Sequence, residues 1–253
     1  MNQFIYETHL HTCEGSACGV TRGADYIEAY SKAGYAGIMV TDHFFNGNCA
    51  VDRSLPWEEK IELYCKGYEH ALERAELWNK ANGTDFKVFF GVEFTFDGDD
   101  YLLYGIDKAW LKAHPEMMNW THAELFEQIK AAGGLMVQAH PYRKRDYIKR
   151  INLHPESVHA VEAFNSGNNP EENPVAFTYA REHNLPVTSG SDMHHFRLPE
   201  ADELPFGGMA FDTPLETIGD YIKRVKAAGE ALKADPSASL TSGYVALHAG
   251  DPA

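Results

Sequence analysis

The sequence predicts an α/β fold, a parallel barrel in which about seven strands alternate with helices. Two observations lead there. Short apolar runs rich in β-branched and aromatic residues alternate with stretches of helical periodicity, the order expected when each strand is followed by a helix that covers it. Successive apolar runs also end in ionisable residues: His9 and His11, His43, Glu93, His140, Glu162, then Asp192 and His194. In a barrel these strand ends converge on one rim, where catalytic residues collect. A doubly wound sheet shares the alternation and stays open on this evidence alone.

The first strand is the aromatic and β-branched run from Phe4, on which His9 and His11 lie two apart. On a strand both imidazoles leave the same face about 6–7 Å apart, close enough to converge on one metal ion. Residues 12–19 are small and read as a loop. Tyr26, Ile27, Tyr30 and Ala33 mark a helix over 23–33, stopped by Gly34. A second strand, 37–43, ends at Thr41-Asp42-His43, and an aromatic, Gly- and Asn-containing loop follows over 44–56, expected to pack on its neighbours. Residues 57–82 read as one long helix with acidic residues at its head and Gly83 after its end. Strands follow at 87–96 and 101–106. A helix over 121–132 is capped by Thr121 with Glu124 three residues on. The pattern continues with strands at 134–141, 157–166 and 185–192 and a helix at 174–183 between the last two. A short strand at 207–212, a closing helix at 215–233 and an Ala/Ser/Gly-rich tail from 235 to 253 complete the chain, read as one domain over 1–253.

Composition narrows the function classes. The 253 residues are 44% hydrophobic and 12% aromatic, ample for a full core. Acidic residues outnumber basic ones 37 to 22, for a formal charge of −15, which argues against general attraction to nucleic acid or anionic membrane. Cys13, Cys18, Cys49 and Cys65 form no CxxC pair, the N-terminus has no secretory pattern, and no apolar run approaches the ~20 residues of a membrane span. The expectation is a cytoplasmic protein whose thiols are free or bound to metal. Oligomeric state is not readable.

Imidazole and carboxylate are the usual ligands of zinc, manganese and iron. The ordered motifs His9-Leu10-His11, Thr41-Asp42-His43, Gly91-Val92-Glu93, Ala139-His140-Pro141 and Gly190-Ser191-Asp192-Met193-His194 resemble those of the PHP (polymerase and histidinol phosphatase) superfamily, and the match spans about 4–200. The resemblance implies a distorted (β/α)7 TIM-like barrel with two or three divalent ions (Zn, Mn or Fe) at the C-terminal rim, hydrolysing phosphoesters. Carried over by position, His9, His11, Glu93 and Asp192 hold one ion, Glu93 bridges to a second bound by His140, and His43 and His194 hold a third. Two departures stand out. Tyr101 occupies the place where the family has a histidine opening its fourth strand. Ser16 and Ala17 stand where it has a ligand after the first motif, a role left to Glu14 or Cys18.

The implied chemistry is in-line attack on phosphorus by a water that the ions acidify, with Glu93 and Asp192 essential and His195 protonating the leaving oxygen. Arg143 and Arg197 follow two of the strand ends, and a guanidinium fork suits phosphate; Lys144 and Arg145 read as a solvated loop. The expected substrate is a small phosphorylated metabolite: a nucleotide, a sugar phosphate or histidinol phosphate. A metal-dependent amidohydrolase and a non-catalytic regulatory domain with a degraded metal site are the competing readings.

Overall fold

A computed structural model describes residues 3–146, 148–195 and 207–240. The elements run β1 (Phe4–Leu10), α1 (Gly23–Lys32), β2 (Tyr35–Val40), α2 (Trp57–Tyr64), α3 (Lys66–Asn82), β3 (Lys87–Phe96), β4 (Asp99–Tyr104) and α4 (Lys108–Ala113). They continue with α5 (His122–Ala131), β5 (Leu135–Gln138), β6 (Ala160–Asn165), α6 (Glu172–Glu182), β7 (Val187–Gly190), β8 (Met209–Phe211) and α7 (Ile218–Ala234). The strands form one sheet in the order β7-β6-β5-β4-β3-β2-β1-β8. This sheet curls into a nearly closed α/β barrel. Past the end of β7, Met193 bridges in parallel to Leu10 of β1, and the Thr8 hydroxyl donates to the Ser189 carbonyl at 2.6 Å. β8 runs antiparallel along the other half of β1, pairing Phe4–Tyr6 with residues 209–211.

The barrel is not wholly parallel. β1, β2 and β3 are parallel neighbours, as are β5, β6 and β7, but β4 runs antiparallel to both β3 and β5. The reason is local. Phe96 pairs with Asp99 across the two-residue loop Asp97-Gly98, whose residues have φ of 43° and 94°, the left-handed backbone an Asp-Gly hairpin turn demands. No helix fits between such strands. The helix expected over 57–82 is two helices, interrupted at Cys65. Just beyond, α3 passes so close to its surroundings that a Cβ on Gly67 would lie 2.0 Å from the Thr12 hydroxyl, and one on Gly23 of α1 would lie 2.0 Å from the Gly67 carbonyl. α5 is capped as the sequence predicts, with Thr121 and Glu124 forming a reciprocal capping box.

Inside the barrel, Tyr6, Leu102, Tyr104, Val137 and Tyr221 are fully buried and lie in one cluster. Leu215 N–H donates to the Tyr6 hydroxyl at 2.8 Å, and the Tyr104 hydroxyl donates to the Thr8 carbonyl at 2.7 Å. These contacts tie β8 and α7 to the strands and leave the opposite rim for polar groups. The aromatic loop after β2 is core: Phe44 and Phe45 are buried against Trp57, Tyr64 and Phe94. Among the described residues no helix is long and apolar enough to cross a membrane.

Candidate metal centre

Strand ends deliver the expected side chains to one place. His9 and His11 leave one face of β1 with their Nε2 atoms 3.2 Å apart. Glu93 of β3 lies between four imidazoles: its Oε1 is 3.2 Å from both His9 Nε2 and His140 Nε2, and its Oε2 is 3.3 Å from His11 Nε2 and 2.6 Å from His43 Nδ1. Asp192 Oδ1 adds contacts of 2.9 Å to His11 and 3.4 Å to His9. His140 and Asp192 have φ of 28° and 56°, left-handed backbone that costs a non-glycine residue about 1–3 kcal/mol and is retained where surrounding structure enforces it.

The donor set fits divalent cations. Glu93 Oε2, Asp192 Oδ1 and His43 Nδ1 are buried and make no contact of hydrogen-bond geometry, although other ligand atoms lie as near as 2.6 Å. Four trios have ligand atoms close enough for one ion: His11/His43/His194, His9/His11/Glu93, His9/His140/Asp192 and Glu93/Asp100/His140. Ligands on ~2.1 Å bonds to a tetrahedral ion sit roughly 3.4 Å from one another, the scale of the separations here. Glu93, which appears in two trios and offers an oxygen to each pair of imidazoles, has the geometry of a bridge.

The surrounding charges keep the carboxylates ionised. Burial works against a charge on Glu93, but His43 and His9 outweigh it and hold the group well below the usual carboxylate range. Arg143 and His9 do the same for Asp192. Burial opposes the charge on His43 as well, yet Glu93 and Cys18 raise it to about 12. His11 goes the other way, pushed down to about 3 by burial and the neighbouring His43.

An outer layer orients these rings. Glu162 accepts from His9 Nδ1 at 3.0 Å, from the His140 N–H at 3.0 Å and from Asn165 Nδ2 at 2.9 Å, so His9 turns Nε2 inward. Ser16 donates to Asp42 at 2.7 Å and so accepts from His11 Nδ1, 2.9 Å away, and from the His43 N–H at 2.9 Å. Asp42 also accepts from Thr12 N–H and its hydroxyl at 2.6 and 2.7 Å. Glu7, buried and pushed up to about 7 by burial, accepts from the backbone N–H groups of His9 and Ser191 and joins β1 to the chain after β7.

Several sequence-based expectations change. Glu14 is not at the centre: one oxygen meets His70 Nδ1 at 3.0 Å and the other accepts the Gly23 N–H that opens α1, so it serves the helix start. Cys18 is half-buried and belongs to none of the four trios; burial would raise its thiol, but His194 and His43 bring it down to about 6. Arg143 is not free to grip a substrate with its whole fork. It is nearly buried, ion-paired to Asp192 at 2.5 Å and bonded to Asn168 at 2.8 Å and Asn165 at 3.0 Å. Arg145 pairs with Glu172 rather than standing solvated. His195 is exposed one residue past His194, and Arg197 lies outside the described residues.

Tyr101 faces away from the centre, its ring against His122 and Phe96. Asp100, one residue earlier, takes the inward place beside Glu93 and His140. The signal was present: Leu102 and Tyr104 face the barrel interior, and alternation puts Asp100 with them and Tyr101 outside. Ser16, Glu7 and Asn165 carry no comparable pattern, because their roles rest on contacts from distant segments.

No protein-family model matches the sequence, and no curated protein matches it. By structure the chain is similar to PsfC from Pseudomonas syringae PB-5123, with 17% identity over 93% of this chain and 97% of that one and a TM-score of 0.56. It is similar to a two-domain protein from Bacteroides vulgatus ATCC 8482 containing a predicted PHP-like metal-dependent phosphoesterase, with 16% identity over 76% of this chain and a TM-score of 0.50. This chain spans 52% of that longer protein. An amidohydrolase from Chromobacterium violaceum follows at 15% identity, 86% and 95% coverage and a TM-score of 0.49. At such identities the likeness is one of fold: the chain shares its barrel with a protein named for a PHP-like metal-dependent phosphoesterase.

Proposed function

We propose that the chain is a metal-dependent phosphoesterase of the PHP kind that acts on a small phosphorylated metabolite. One observation carries the reading. Buried oxygens and nitrogens from β1, β3 and the segments following β2, β5 and β7 converge at one rim, several of them in close contact without hydrogen-bond geometry, around a carboxylate placed to bridge. When bound, divalent ions supply charge to the ester oxygens and acidify a water.

The chain's own groups prepare that site. Glu162 and Ser16 fix the tautomers of His9 and His11, so that each ring offers Nε2 to the centre. Arg143 keeps Asp192 ionised and in place, acting through the carboxylate rather than by gripping phosphate. His195, exposed and next to His194 in the chain, serves to hand a proton to the leaving oxygen, and Arg197 to bind phosphate.

The test is phosphate release from a panel of nucleotide, sugar and amino-alcohol phosphates, with manganese or zinc supplied and a chelator in parallel. Release that the chelator stops and metal restores, with Glu93→Ala inactive, is expected. Protein confirmed to carry metal that hydrolyses amides and none of the phosphoesters overturns the reading.

A further inference from the structure

One of the four trios, His9/His140/Asp192, gathers its members from three separate parts of the chain, and what holds each of them leads back to a single side chain. Glu162 accepts from His9 Nδ1 and from the His140 N–H, both at 3.0 Å, and takes a third bond, 2.9 Å, from Asn165 Nδ2. Arg143 pairs with Asp192 through one arm of its fork, and with the other donates to Asn165 Oδ1 at 3.0 Å, where the Gly167 N–H also donates at 2.9 Å. Guanidinium and backbone N–H only donate and an ionised carboxylate only accepts, so the amide has a single orientation that satisfies all three. Asn165 is fully buried, and its backbone is held by the Asn173 side chain at 3.1 and 3.2 Å. An irregularity in β6 turns it there. Glu162 pairs with Thr188 and Phe164 with Ser189, which leaves Ala163 as an extra residue and brings Asn165 round to the side of Glu162. On a regular strand positions three apart face opposite ways, and bulges beside a site re-aim side chains in this manner.

We propose that Asn165 is the positioning residue of this trio, tying Glu162 behind His9 and His140 to Arg143 behind Asp192, so that the three ligands keep their spacing as one unit. The inference rests on the reading of the rim as a metal centre and adds to it a residue that binds no ion itself. As a neutral group between a carboxylate and a guanidinium, the amide also keeps Glu162 and Arg143 from pairing with each other and leaves each to its own ligand. Asn168 holds Arg143 as well, accepting from its Nε at 2.8 Å, but its amide nitrogen donates to Asn173 at 2.9 Å and not to Glu162. The two asparagines thus separate the grip on Arg143 from the tie between the two arms.

Cobalt added to chelator-stripped protein reports the geometry of the centre through its visible d–d bands, and calorimetry gives the affinity. Asn165→Leu, which removes both bonds at similar size, should weaken cobalt binding about 10–100-fold and alter the bands, while Asn168→Ala should weaken it far less and leave the bands as they are. Asn165→Asp is equal in size and still accepts from Arg143 and Gly167, but it sets a second carboxylate against Glu162. It should weaken cobalt by more than about tenfold, and it decides the matter if the leucine variant does not fold. Cobalt bound by the Asn165 variants with the affinity and bands of the unaltered protein overturns the positioning role and leaves the metal centre standing, even where their metal-free unfolding midpoints fall. Asn168→Ala as damaging as Asn165→Leu reduces the effect to the grip on Arg143 and overturns the tie between the arms. Unaltered protein that binds no cobalt overturns the metal centre and the role together.

Discussion

Ser16 joins three parts of the rim through one oxygen. It donates to Asp42, accepts from the His11 ring and accepts from the His43 backbone, so two candidate ligands depend on a residue that binds nothing itself. Ser16→Ala leaves the His11 Nδ1 and the His43 N–H unpaired in a buried place, at roughly 1–3 kcal/mol for each such group, and frees the His11 ring to turn. Metal affinity measured by titration should fall about 10–100-fold with the fold intact by circular dichroism. Unchanged affinity would show that the ring is fixed by packing alone. In the sequence Ser16 looks like a lost ligand, and the structure gives it a different office. Spacing locates a loop residue near a strand end but does not say which way its side chain turns; the same ignorance left Glu14 and Cys18 as equals. Glu14 is drawn off by contacts with the start of α1 and with His70 of α3, fifty-six residues away.

At the scale of elements, Gly190 shows how closely the strands approach behind the centre. A Cβ there would lie 2.6 Å from both Glu162 Oε1 and His9 Cβ. Gly190→Ala must push β7 away from β1 or turn Glu162 off His9, and metal binding should drop at least as far as in Ser16→Ala, with a lower unfolding midpoint; normal binding would mean the seam is looser than it looks. A second element-scale test lies at the other end of the barrel, where His159 Nδ1 accepts the Met136 N–H between β5 and β6. Burial and Lys226 push His159 down to about 4, so the folded chain holds it neutral while the unfolded chain protonates it near 6.5. Unfolded protein thus binds more protons between those values, and stability falls as pH drops from 6.5 toward 4. The partial exposure of the ring limits the loss to about 1–2 kcal/mol by pH 5. His159→Asn, which retains an acceptor, should lose that much less between pH 7 and pH 5 in urea unfolding. A parallel decline in both proteins assigns the acid sensitivity elsewhere. The strands themselves were legible because short apolar runs rich in β-branched and aromatic residues alternate with stretches of helical periodicity. Direction was not, since a period of two reads the same both ways; only the Asp97-Gly98 dipeptide carried the reversal of β4, and with it the place of Asp100.

Across the whole molecule, the centre lies where the sheet closes. His9 and His11 belong to β1 and Asp192 and His194 follow β7, so ions held at the rim would pin the two sides of the seam, which the described backbone links through Met193 to both His9 and His11. The chain carries a formal charge of −15, to which Glu93 and Asp192 contribute, and cations held at the rim offset part of it. Binding confined to the folded state stabilises by an amount set by occupancy, about 2.7 kcal/mol when free metal is 100 times its dissociation constant. For a chain of this length that is roughly 5–10 °C in the melting midpoint. Chelation should therefore lower the midpoint by that amount and manganese or zinc should restore it, with the shift growing as metal is raised. In Glu93→Ala, which lacks the bridging carboxylate, chelator and metal should move the midpoint far less. An equal response in that variant would place the stabilising ion away from the rim, and no response in the unaltered protein would mean that the seam holds by its backbone bonds alone.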